Sequence, residues 1–411
     1  MEKVELQKYC ELIIKVGVNL YEGQCLAIGS GIKNAEFALM LADTAYANGA
    51  AFVDVIFSSN ELTKSRIKNS KNNDDINFIP NYPINRSYEQ IANDWAFIRI
   101  DNLEELNVLK SIDPNTLGII TRNEQNSHKA MSKAISSAKI AWCIVAAPGI
   151  NWAAKVYDSE PYKELENKLW ENLVKIMRLD KSDPVSEWRR HGKNLSERGN
   201  MLSRMKIDKL LFTGPDTDLE IGLTKNSIWK GGQVMAQNGR EFIPNLPTEE
   251  VFTCPDFNRT NGRVKVTKPV KVLENLLTGI WFEFKDGKVI NFGADDKKEI
   301  LGKYFEMDEG ASYLGEVALV DINSEVHKSG LIFNSILYDE NAACHIALGR
   351  GIPMCFSNKD EIITTEDMKK NKCNYSVVHT DFMIGSDKIN VKAIDYDGKE
   401  IQIIKDGLFT I

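Results

Sequence analysis

The sequence predicts an α/β N-terminal domain with a mostly parallel sheet, followed by a β-rich α+β domain. Three observations carry this expectation. The 411 residues suffice for two large domains at roughly 150 residues each. Up to Ala146, apolar runs of strand length alternate with stretches of helical spacing. From Leu210 onward the segments are short, turn-punctuated and rich in β-formers.

Each element follows from local pattern. Leu6, Cys10, Ile13 and Gly17 share one helical face. Cys25 to Ile28 reads as a strand, Asn34 to Asn48 as a helix stopped by Gly49, and Ala51 to Phe57 as a second strand. Strand, helix and strand in this span make a βαβ unit, which requires parallel strands. Trp95 to Ile100 and Ile140 to Ala146 are further strands, preceded by helical stretches Tyr88 to Asn93 and His128 to Ser137. Tyr162 to Met177 and Pro184 to Met205 form a charged helical connector, placing the boundary at 1–190 and 191–411. Beyond it, hairpins are expected around Asp286-Gly287 and Asp397-Gly398.

Composition narrows the function classes. Hydrophobic residues at 43% and charged residues at 27% are those of a folded protein. The longest apolar run, Ile140 to Ile150, contains Pro148 and Gly149 and falls short of the ~18 residues of a membrane span. A net charge of -7 without a basic stripe argues against a nucleic-acid partner. The opening MEKVELQKYCELIIKVG has no apolar signal region. The seven cysteines include no C-x-x-C pair, so a reducing cytoplasm is expected. GSGIKNAE, after the first strand, lacks both the three-glycine dinucleotide spacing and a P-loop lysine.

Chemistry gathers in four later patches. NLPTEEVFTCPD (245–256) holds Glu249 and Glu250, whose side chains diverge in an extended segment. YLGEVALVD (313–321) embeds Glu316 in an otherwise apolar strand, where a charge is costly unless paired or bound to metal. LYDENAACHIALGRG (337–351) brings Asp339, Glu340, Asn341 and His345 together. VVHTDFMIGSD (377–387) places His379 and Asp381 two apart, on one face of a strand. Such carboxylates and imidazoles suit zinc, manganese or cobalt. Three carboxylates and two imidazoles exceed one catalytic zinc and fit two ions sharing a carboxylate. Cys254, Cys344 and Cys373 read as buried small residues. Glu249 and Glu340 are candidate general bases.

NLPTEEVFT, YLGEVALV, ENAACHIALG and HTDFMIGS, in this order, resemble the aminopeptidase T, aminopeptidase S and PepS family of bacterial metalloaminopeptidases. The resemblance is densest from TGPDTDLEIGL (213–223) to the end. It implies metal ligands at Glu250, Glu316, His345, His379 and Asp381, choosing Glu250 where the residues alone left Glu249 open. It implies two divalent ions (zinc, cobalt, manganese or magnesium), short peptides as substrates, and a homodimer that helps enclose the site. Residues 191–411 are then the metal-binding catalytic domain. Ile352 stands where the family carries a tyrosine near the metals, with Arg350 or Tyr338 as possible substitutes for its hydroxyl. The alternatives are an amidohydrolase acting on a non-peptide amide, and a non-catalytic descendant.

Overall fold

The computed structural model describes residues 3–273 and 275–411. These fall into two compact units, residues 1–190 with 233–247, and residues 191–232 with 248–411.

The first unit is built on four parallel strands, β1 (Cys25–Gly31), β2 (Phe52–Ser58), β3 (Ala96–Asp101) and β4 (Trp142–Ala146), in the order β2-β1-β3-β4. The helix Ala35–Ala47 makes the crossover from β1 to β2, burying Phe37, Leu41, Thr44 and Ala45. Gly49, at a φ of 92°, takes the left-handed turn after it. Helices Tyr82–Ala92 and Lys129–Ser136 precede β3 and β4. The N-terminal helix Lys3–Leu12 continues into a π-helical turn, Ile13–Gly17, which buries Ile13, Ile14, Val16 and Gly17. A Cβ at Gly17 would stand 2.9 Å from Cys143 Sγ, so glycine allows the backbone to approach β4.

Residues 233–247 belong to this first unit although they follow residue 191 in sequence. The reason is edge pairing. Ile144 N–H donates to Pro244 O at 2.8 Å and Leu246 N–H donates to Ile144 O at 3.1 Å, so the segment satisfies the open edge of β4.

The second unit contains an eight-stranded antiparallel sheet, which includes the hairpin Trp281–Lys285 with Lys288–Gly293 and the hairpin Asn390–Asp395 with Glu400–Lys405. Asp286 and Gly287 are both left-handed, as a two-residue hairpin turn requires. A second antiparallel sheet comprises β5 (Glu250–Thr253), β6 (Leu314–Val320), β7 (His345–Gly349) and β8 (His379–Met383), in the order β8-β7-β6-β5. Val251, Val317, Leu319, Ile346, Leu348 and Phe382 from this sheet join Leu210, Phe212 and Phe282 of the larger one in a common core. Alternation along each strand therefore leaves the intervening residues for the opposite face. Among the described residues no helix is long and apolar enough to cross a membrane.

Candidate metal centre

Strand register brings the four patches together. Glu316 lies opposite Ala347, which lies opposite Asp381. Ala318 lies opposite both His345 and Phe252, and Val320 lies opposite Glu250. His379 is two residues from Asp381 on β8. Glu250, Glu316, His345, His379 and Asp381 thus share one face of the sheet. The residues between them, Ala318 and Ala347, are small and fully buried. Their methyl groups leave room above the sheet for the longer polar side chains. At Gly315, where the β6–β7 register shifts, an added Cβ would meet Arg350 O at 2.3 Å, so only glycine permits this approach of the strands.

The donors form two overlapping triads. Donor atoms of Glu250, Glu316 and His345 lie within 4.8 Å of one another, as do those of Glu316, His379 and Asp381. Glu316 belongs to both. His379 Nε2 is 3.2 Å from Glu316 Oε2 and 3.5 Å from Asp381 Oδ1. His345 Nε2 is 3.2 Å from Glu250 Oε2. Each imidazole is oriented from behind: His379 Nδ1 donates to Arg350 O at 2.7 Å and His345 Nδ1 to Ala343 O at 3.2 Å. A carbonyl can only accept, so each Nδ1 carries its proton and each Nε2 faces the carboxylates, as second-sphere contacts do for ligating histidines. His345 is 1% exposed but His379 is 34% exposed, which makes His379 the open side of the cluster.

The electrostatics are those of crowded like charges with two imidazoles among them. Burial pushes the Glu316 carboxyl up, and Glu250 and Asp381 add to this against the opposing pull of His379. Burial also acts on Asp381, but His379 and His345 outweigh it and hold this carboxyl below its usual range. Burial pulls His345 down, yet the Glu250, Asp381 and Glu316 carboxylates raise it to about 10. His379 is raised for the same reason, chiefly by Asp381. Glu250 Oε2 is buried and takes up no aligned hydrogen bond. A buried carboxylate oxygen left this way, within a set of oxygen and imidazole donors, fits a divalent cation.

The remaining candidates separate. Burial, with Glu250 and Asp381, raises Glu340 well above the ordinary carboxyl range. Glu249 turns instead to His191, with Oε2 3.4 Å from Nε2. Tyr338 is fully buried, its ring 5.0 Å from that of Phe333. Arg350 is exposed and meets His379 through its backbone oxygen. Ile352 packs against the apolar cluster of Cys254, Cys355, Phe356 and Cys373. Cys254, Cys344 and Cys373 are buried free thiols. Sequence reading gave His191 no role, and its pairing with Glu249 has no local signature.

Similarity to known proteins runs over the whole chain. A family model described as thermophilic metalloprotease (M29) matches residues 2–409. Aminopeptidase 2 of Geobacillus stearothermophilus is 34% identical over 98% of this chain and 97% of its own length. Aminopeptidase PepS of Streptococcus thermophilus is 33% identical over 100% of this chain and 98% of its own. The solved structure of wild-type AmpT from Thermus thermophilus superposes with a TM-score of 0.91 at 31% identity, covering 100% of both chains. With sequence and fold matching from end to end, the chain belongs to the thermophilic metalloprotease family M29.

Proposed function

We propose that this metalloaminopeptidase removes N-terminal residues from short peptides, using two divalent ions held by Glu250, Glu316, His345, His379 and Asp381. The observation that carries the reading is the membership of Glu316 in both donor triads, which suits a carboxylate bridging two ions. Zinc, cobalt, manganese and magnesium are the candidate metals, since no thiolate belongs to either triad. When bound, such ions polarise a peptide carbonyl and acidify water. Glu249 takes the proton of the attacking water on a carboxylate oxygen and returns it to the leaving nitrogen. We favour Glu249 over Glu340 because His191 stands beside its carboxylate, whereas Glu340 lies in the field of the proposed ligands. His345 and His379 remain fixed through their Nδ1 bonds. The open side at His379 is the route for substrate.

The assembly belongs to the same proposal: a homodimer enclosing the site and excluding folded proteins, working in a reducing cytoplasm where the free thiols persist. The test combines metal analysis of gently purified protein with hydrolysis of aminoacyl amides, tripeptides and a folded protein, and with light scattering. Two ions per chain, cleavage of amides and tripeptides, and twice the chain mass are expected. Ile352 favours a second reading, a chain that keeps metal and peptide binding but turns substrate over slowly, because its side chain offers no hydrogen-bond donor. Full metal content with negligible turnover, restored by Ile352→Tyr, would select that reading.

A further inference from the structure

We propose that His191 is a positioning residue for the reaction, holding the Glu249 carboxylate in its working orientation. This rests on the assignment of Glu249 as the base.

His191 lies on the helix Pro184–Arg204 and opens the second unit. Its Nε2 is 2.9 Å from Thr248 O and 3.4 Å from Glu249 Oε2. Because the Thr248 carbonyl can only accept, Nε2 carries a proton and donates it to that carbonyl, and the same nitrogen stands within ion-pair distance of Glu249 Oε2. One imidazole thus holds the backbone before Glu249 and stands beside its carboxylate. The same short segment is held a second time. Glu249 N–H donates to Asn341 Oδ1 at 2.6 Å, and Asn341, fully buried, donates from Nδ2 to Leu337 O at 2.9 Å.

The helix that carries His191 is itself fastened to β5. Ser196 Oγ donates to Gly231 O at 2.9 Å, and Lys230 and Phe252 exchange backbone hydrogen bonds at 2.9 and 2.8 Å. A Cβ on Gly231 would lie 2.7 Å from Glu250 O, and one on Gly232 would lie 2.1 Å from Gly192 O. These glycines let helix, loop and strand close to backbone contact. The result is a rigid path from the helix to the two adjacent glutamates. Glu250 points to His345 and Glu249 to His191. A base oriented by a third group is the arrangement that keeps a carboxylate within reach of a single proton position.

The test compares His191→Ala, His191→Gln, Glu249→Gln and the double variant His191→Ala/Glu249→Gln in the full-length, metal-loaded protein. His191→Ala is expected to lower kcat on the order of 10–100-fold, with KM within about twofold and metal content unchanged. His191→Gln, which keeps a donor near the Nε2 position, should recover most of the loss. The double variant should be no slower than Glu249→Gln alone, because residues acting as one unit are not additive. Undiminished kcat in His191→Ala beside an impaired Glu249→Gln, or losses that multiply in the double variant, would overturn the proposal. So would an unimpaired Glu249→Gln. A spectroscopic arm works without turnover. The His191 Nε2–H resonance, assigned by its disappearance in His191→Ala, should shift in Glu249→Gln; an unmoved resonance also overturns the proposal. A wild-type protein that cleaves no aminoacyl amide sinks the aminopeptidase reading, while the resonance still decides whether His191 holds Glu249.

Discussion

At the scale of single residues, the cluster stores protons that metal must displace. His345 sits at about 10 in the metal-free chain because carboxylates surround it. A raised folded-state value stabilises the fold below the ordinary histidine value of 6.5 and is lost as pH rises toward 10. Thermal melts of chelated protein should therefore show Tm falling across that window, and His345→Gln should flatten the trend. Metal uptake should release protons and strengthen as pH rises, which titration calorimetry in buffers of different ionisation enthalpy measures. Glu249→Gln is expected to keep its metals and lose ~10²–10⁴ in kcat, read by metal analysis beside steady-state kinetics. The two glutamates also show where sequence reading stops. Extended geometry says that Glu249 and Glu250 diverge, but which of them faces the other donors depends on a long-range partner, Val320 opposite Glu250. His191 was invisible because 57 positions separate it from Thr248, and neither end carries a motif.

At the scale of the element, the antiparallel sheet does the gathering. The His-x-Asp spacing on β8 was legible because alternation is local, and Glu316 stood out as a charge in a strand whose seven residues are all buried. The fit of the four strands was not legible, since register depends on long-range partners. Two small-residue positions are critical to it. Ala347 separates Glu316 from Asp381, so Ala347→Val should crowd the face, costing ~1–3 kcal/mol and most metal affinity; chemical denaturation and metal titration measure the two effects. Gly315→Ala should push a methyl group into Arg350 O. Arg350 O also anchors His379, so this variant should lower Tm and weaken metal binding together.

At the scale of the whole molecule, the division of labour between the units follows their sequence patterns. Parallel β/α repetition built the first unit, and it was readable from helix and strand periodicity alone. The place of residues 233–247 in the first unit is not legible locally, because strand-edge complementation leaves no mark in a short segment. All the proposed ligands lie in the second unit, so its stability should couple most strongly to metal. At a free metal concentration of about 100 times Kd, binding contributes ~2.7 kcal/mol per site. Chelation should lower the Tm of the full chain, with hydrogen exchange accelerating chiefly in β5 to β8 and little in β1 to β4. Equal acceleration in both units would contradict that localisation.

The order β8-β7-β6-β5 has a consequence for biosynthesis. Each strand pairs with the preceding strand of the same sheet, so this sheet can grow in the direction of translation. The final strand brings His379 and Asp381 together, and Glu316 waits until then for half of its partners. A nascent chain halted before β8 holds Glu250, Glu316 and His345 but lacks the second triad. A chain stopped before Asp381 would therefore lack the second triad.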